Sequence, residues 1–74
     1  MDLIKIYKDK ILLEISKDEL GVLSNALNEV CNGIEVWEFD TRIGIKIEAA
    51  RDILAALTSI YTKVYVENSK DLEQ

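Results

Sequence analysis

Carboxylates are the chemically capable side chains of this chain. Glu14, Asp18, Glu19, Glu29, Glu35, Glu38 and Asp40 follow one another with Lys17 as the only cation among them. Close pairs such as Asp18/Glu19 and Glu38/Asp40 have the make-up for general acid–base work or for holding a hard cation. The groups such chemistry ordinarily recruits are missing. There is no histidine, the commonest general base and transition-metal ligand. One cysteine, Cys31, cannot build a structural zinc site or an internal disulfide, and Gly21, Gly33 and Gly44 stand too far apart for a phosphate-binding loop. A chain of 74 residues has little volume for a desolvated cleft. The expectation is a protein that turns over no substrate and holds neither cofactor nor metal.

What the carboxylates do supply is a field. Residues 1–13 carry Lys5, Lys8 and Lys10 against Asp2 and Asp9, a net of +1; Glu14 to Asp40 carries −6; residues 41–74 balance, which leaves −5 overall. An acidic surface repels phosphate backbones and raises the on-rate of a basic polypeptide, so the expected partner is a protein and not a nucleic acid. The plainer reading is that an acidic surface keeps a small protein soluble. Trp37, flanked by Glu35, Glu38 and Asp40, has the composition of an interface hot spot with a charged rim. Trp37 and Phe39 are also the largest side chains available to fill a core, and that reading is preferred for Trp37. Asp18, Asn25, Glu29, Glu35, Trp37, Glu38 and Asp40 are the candidate contact residues.

The elements that must position them begin with Ser16-Lys17-Asp18-Glu19. The Ser16 hydroxyl can accept from the Glu19 amide while the Glu19 carboxylate reaches back, a capping box. A helix is expected from about Lys17 to Asn32, where Asn32-Gly33 supplies residues that tolerate positive φ and close it. On a helical wheel Leu20, Leu23, Ala26, Leu27, Val30 and Cys31 fall within roughly 140°, with Asp18, Asn25 and Glu29 opposite. Cys31 therefore reads as a small core side chain. Upstream, Leu3 to Tyr7 and Ile11 to Ile15 flank a polar break at Lys8-Asp9-Lys10, which predicts a β-hairpin, although neither run alternates cleanly. The three lysines would guard its edge. A lone hairpin is marginal in water, so it has to lie on helices or find another strand, as from a second copy of the chain.

Ile34 to Ile47 admits two readings: a second hairpin turning at Asp40-Thr41-Arg42, or a short helix over Trp37 to Ile43. The helix is preferred because Gly44 is placed to stop it. Arg42 is expected to pair locally with Asp40 or Glu38. From about Ile47 a second amphipathic helix is predicted, with Ala50, Ile53, Leu54, Leu57, Ile60, Tyr61, Val64 and Tyr65 on one face. The strand-like composition of Ile60 to Val66 competes with it. Residues 67–74 read as a polar tail after a single α+β domain over 1–66. For 8.4 kDa the folded surface should be roughly 4,600 Å² against about 12,200 Å² unfolded, enough for one core. No apolar run reaches the ~20 residues of a membrane span, and Met1-Asp2-Leu3 does not open a signal peptide, so a cytoplasmic protein with no membrane contact is expected.

The run Leu23 to Ile34, followed by Glu38-Phe39-Asp40-Thr41-Arg42-Ile43-Gly44 and an amphipathic helix, resembles small bacterial immunity proteins of polymorphic-toxin and contact-dependent inhibition systems. The resemblance covers roughly Ile11 to Leu57; Lys46 stands where such sequences usually carry Ser or Thr. It implies a chain that binds a cognate toxin domain, often a basic nuclease, and occludes it. The alternative is a small homodimeric structural or regulatory module, closed by the hairpin edge and the apolar side of Ile60 to Val66.

Overall fold

In the structure, a computed structural model that describes residues 1–70, an N-terminal antiparallel hairpin is followed by helices, the α+β arrangement expected. Strands β1 (Asp2–Ile6) and β2 (Ile11–Glu14) pair with Leu3 opposite Leu13, Lys5 opposite Leu12 and Ile6 opposite Ile11. The Tyr7 amide donates to the Lys10 carbonyl at 2.8 Å, closing the turn at Lys8-Asp9. An irregularity between Leu3 and Lys5 inserts Ile4 as an extra residue. That bulge explains the broken alternation: it shifts the phase of β1, so Leu3 and Ile6, three apart, both share a face with Ile11 and Leu13. The other face carries Asp2, Lys5, Leu12 and Glu14, and at its turn end the ammonium groups of Lys5 and Lys10 lie 5.0 and 5.1 Å from the Tyr7 ring centre.

Helix α1 (Lys17–Asn28) starts with the capping box foreseen: the Glu19 amide donates to Ser16 Oγ at 3.0 Å and the Ser16 amide to Glu19 Oε1 at 2.8 Å. It does not close on a left-handed glycine. It widens into a π-helical turn, Glu29–Gly33, and stops at Ile34, whose backbone is extended, while Gly33 keeps an ordinary φ. A widened turn leaves carbonyls off the i→i−4 ladder, and the Arg51 guanidinium donates to the Cys31 carbonyl at 3.4 Å. The short helix preferred for the middle segment forms as α2 (Phe39–Ile43), ended by Gly44 at φ 101°, a conformation that a Cβ disfavours. Helix α3 (Ile47–Lys70) runs straight through Ile60 to Val66, because sixteen residues of helical period outweigh seven of strand composition. It continues four residues into the stretch assigned to a tail; residues 71–74 lie outside the described residues.

Helices α1 and α3 pack antiparallel, with Gly21 against Tyr61 at one end and Cys31 near Arg51 at the other. Their seam buries Leu20, Ser24, Cys31 and Ala50, the only buried residues among those whose side chains are described. Helices touching along a line cover a narrow strip, so part of each predicted apolar face stays open: Leu23 and Ala26 on α1, and Ile53, Ile60 and Tyr65 on α3. Leu23, Ala26, Leu27 and Val30 line a shallow apolar groove with Ile43 and Leu57. Ile53 and Ile60, one turn either side of Leu57 and each 49% exposed, extend it. On the hairpin Leu3, Ile6, Ile11 and Leu13 are 42–69% exposed. The whole chain exposes 6158 Å², about 1,500 Å² more than the scaling for a compact monomer of its mass. Its radius of gyration is 14.5 Å against about 11 Å expected, and it is only 16 Å thick along its shortest axis.

Candidate docking surface

The seven candidate contact residues are all exposed, and the fold sorts them into two places. Asp18 and Asn25 lie at the α1–α3 seam, where they line a groove with Leu20, Gly21, Tyr61 and Tyr65. The Tyr61 hydroxyl donates to that of Tyr65 at 3.0 Å, with ring centres 4.8 Å apart. That hydrogen bond, then partial desolvation, then the negative potential of Tyr65 and Asp18 hold the Tyr61 phenol above its ordinary value. Asp18 and Glu29 are three helical turns apart, roughly 16 Å along the axis.

Glu29 folds the other way. Its carboxylate lies over Gly33, at the head of the connection that carries Glu35, Trp37, Glu38 and Asp40. The sequence preference for Trp37 in the core is overturned: its side chain is 74% exposed, whereas Phe39 is half-buried. The cause is local. Glu38 takes a left-handed conformation, φ 55° and ψ 51°, the one non-glycine residue with positive φ among those described. A left-handed residue reverses the chain direction, and here it separates Trp37 from Phe39, which opens α2. Backbone of this kind costs on the order of 1–3 kcal/mol and concentrates at functional sites. Asp40, in the first turn of α2, faces the positive end of that short helix.

The chain matches no protein-family model, no curated protein and no solved structure.

Arg42 does not form the expected pair with Asp40 or Glu38; its amide donates to the Glu38 carbonyl, and its guanidinium has no ion-pair partner among the described residues. The ion pair that does form joins the Met1 amino group to Glu19 Oε2 at 2.9 Å. Together with the Ser16 amide it holds the Glu19 carboxyl below its ordinary value, the Ser16 hydrogen bond contributing most. Glu35, Glu38 and Asp40 flank the exposed Trp37 along the chain, and neither they nor Glu29 has an ion-pair partner among the described residues. Among the described residues there is no group of three metal-ligating side chains, and no helix is long and apolar enough to cross a membrane. Residue types did not signal two features: Arg51 as the partner of the widened turn, and Ser24, buried with its hydroxyl unpartnered among the described residues. Ser24 lies about 20° beyond the Cys31 edge of the apolar arc, at ~100° per residue, so the arc drawn from apolar residue types stops just short of it.

Proposed function

We propose that this is a non-enzymatic protein-binding module of the cytoplasm that docks a basic polypeptide through the connection from Glu29 to Asp40. In the setting that the sequence resemblance suggests, the polypeptide is a cognate toxin domain, which the module neutralises by occlusion. The observation that carries the reading is Trp37, 74% exposed among carboxylates that have no ion-pair partner among the described residues. An indole in water is an unspent apolar contact, and tryptophan at the centre of a charged rim is the commonest make-up of an energetic anchor. The surrounding charge steers a basic partner and sets orientation, so association should weaken with salt. The carboxylates are solvated and enclosed in no cleft, and no neighbouring side chain supplies both a base and a positioned electrophile.

The test is calorimetric titration of the full chain with the C-terminal domain encoded beside its gene, at low and high salt. Submicromolar, salt-weakened binding is expected. Trp37→Ala should cost about 2 kcal/mol or more, and combined Glu35→Lys, Glu38→Lys and Asp40→Lys should abolish steering. Affinity untouched by both variants would place the contact elsewhere. No binding to that domain at either salt would remove the toxin-neutralising role.

A further inference from the structure

We infer that two copies of this chain join along the outer edge of β2, antiparallel across a two-fold axis, in the register that sets Leu12 opposite Leu12 of the second copy. The result is a four-stranded sheet, β1-β2-β2-β1. Three observations select this occupant and this register.

The first is area. A hairpin with Leu3, Ile6, Ile11 and Leu13 on one uncovered face is not stable on its own, and packed domains need a second layer over such a face. The chain exposes 6158 Å² against the roughly 4,600 Å² of a compact monomer of its mass, so this face is left open to a second copy.

The second is the edge. β1 carries the bulge and Lys5, both of which discourage strand addition, whereas Ile11–Glu14 is regular. Because the Lys10 carbonyl accepts from Tyr7, alternation along β2 turns the backbone groups of Lys10 and Leu12 toward β1 and those of Ile11 and Leu13 outward. Ile11 and Leu13 are then free to exchange hydrogen bonds with Leu13 and Ile11 of the second copy.

The third is charge. Partners across an antiparallel pair share a face, so an odd shift would set Ile11 against Glu14 and is rejected. The Leu12-centred register sets Ile11 against Leu13 on the apolar face and Lys10 against Glu14 on the other, twice by symmetry. Shifting by one residue on both strands sets Leu12 against Glu14 or Lys10 against Leu12, which pairs an apolar side chain with a charge. Within one chain Glu14 lies opposite Asp2, a like-charge pair, and neither has an ion-pair partner among the described residues. Lys10 of the second copy arrives beside it. The joined sheet then presents eight apolar side chains on one continuous face.

This assembly uses a surface separate from Trp37, so a dimer that ignores the toxin domain, or a monomer that binds it, tells the two readings apart. The experiment is light scattering with sedimentation of the full chain, its Lys10→Glu and Glu14→Lys variants, and an equimolar mixture of the two, with circular dichroism on each. The wild type should have twice the mass of 8.4 kDa at micromolar concentration. Each variant alone sets two like charges across the axis and should dissociate roughly 30-fold more readily. The mixture should recover wild-type affinity as a heterodimer, because both contacts become attractive again. A variant too unstable to fold alone should fold in the mixture. A concentration-independent monomer overturns the proposal. So does a dimer whose variants behave alike alone and mixed, since its interface would then lie elsewhere.

Discussion

Replacing Ser24 with alanine should stabilise the protein. Ser24 is 9% exposed in the α1–α3 seam and its Oγ is buried with no hydrogen-bond partner among the described residues. An unpaired buried hydroxyl costs about 1–3 kcal/mol relative to solvent. Alanine also has the better helix propensity, by roughly 0.5 kcal/mol at an interior position. Against this stands the loss of one atom's packing, a few tenths of a kcal/mol at about 0.1–0.2 kcal/mol per contact. The net gain is about 1.5 kcal/mol, which for a chain this short should raise Tm by roughly 6–12 °C. The assay is thermal and urea unfolding followed by circular dichroism at one fixed chain concentration, since self-association would make Tm concentration-dependent. The urea m-value should not change, because the same surface is exposed on unfolding. A loss of stability on Ser24→Ala would show that the hydroxyl is bonded in the native protein, and the seam would need a different account.

Further outcomes follow from the same geometry. Ser16→Ala should cost about 1 kcal/mol, and in a double-mutant cycle with Glu19→Ala the double variant should lose less than the sum of the two single losses, because both remove partners of one capping box. Since the Glu19 carboxyl is held below 4.5, its contribution is complete above that pH and is lost as acid takes the solution down through the folded value; stability of Glu19→Gln should fall less steeply there. Trp37→Ala should change stability by no more than about 0.5 kcal/mol, and the fluorescence of this single tryptophan should be red-shifted and readily quenched by acrylamide; blue-shifted, protected emission would return Trp37 to a buried contact. Gly44→Ala should destabilise by about 1–2 kcal/mol because φ is 101° there, whereas Glu38→Gly should be neutral or stabilising by up to about 1 kcal/mol, both read from urea midpoints.

The capping box at Ser16, the stop at Gly44, the turn after Tyr7 and the long period of α3 were all legible from residue types, because each depends on groups within four positions of one another. The charge imbalance from Glu14 to Asp40 was equally plain, and so was the lack of any histidine. Other features depended on geometry several residues wide. The bulge at Ile4 hid an apolar face behind a sequence that does not alternate. The widened turn at Glu29–Gly33 replaced a glycine stop, and the left-handed Glu38 turned Trp37 out to solvent where size and hydrophobicity favoured the interior.

Residue order therefore decided which segments became strands and helices, and which side of each is oily. How much of each oily side is covered was decided only by packing. Periodicity marks every side chain that prefers to leave water, but two helices meet along a single line, which is enough for Leu20, Ser24, Cys31 and Ala50. Leu23, Ile53, Ile60 and the apolar face of the hairpin carry the same local signal and remain exposed, because among the described residues no further element packs over them.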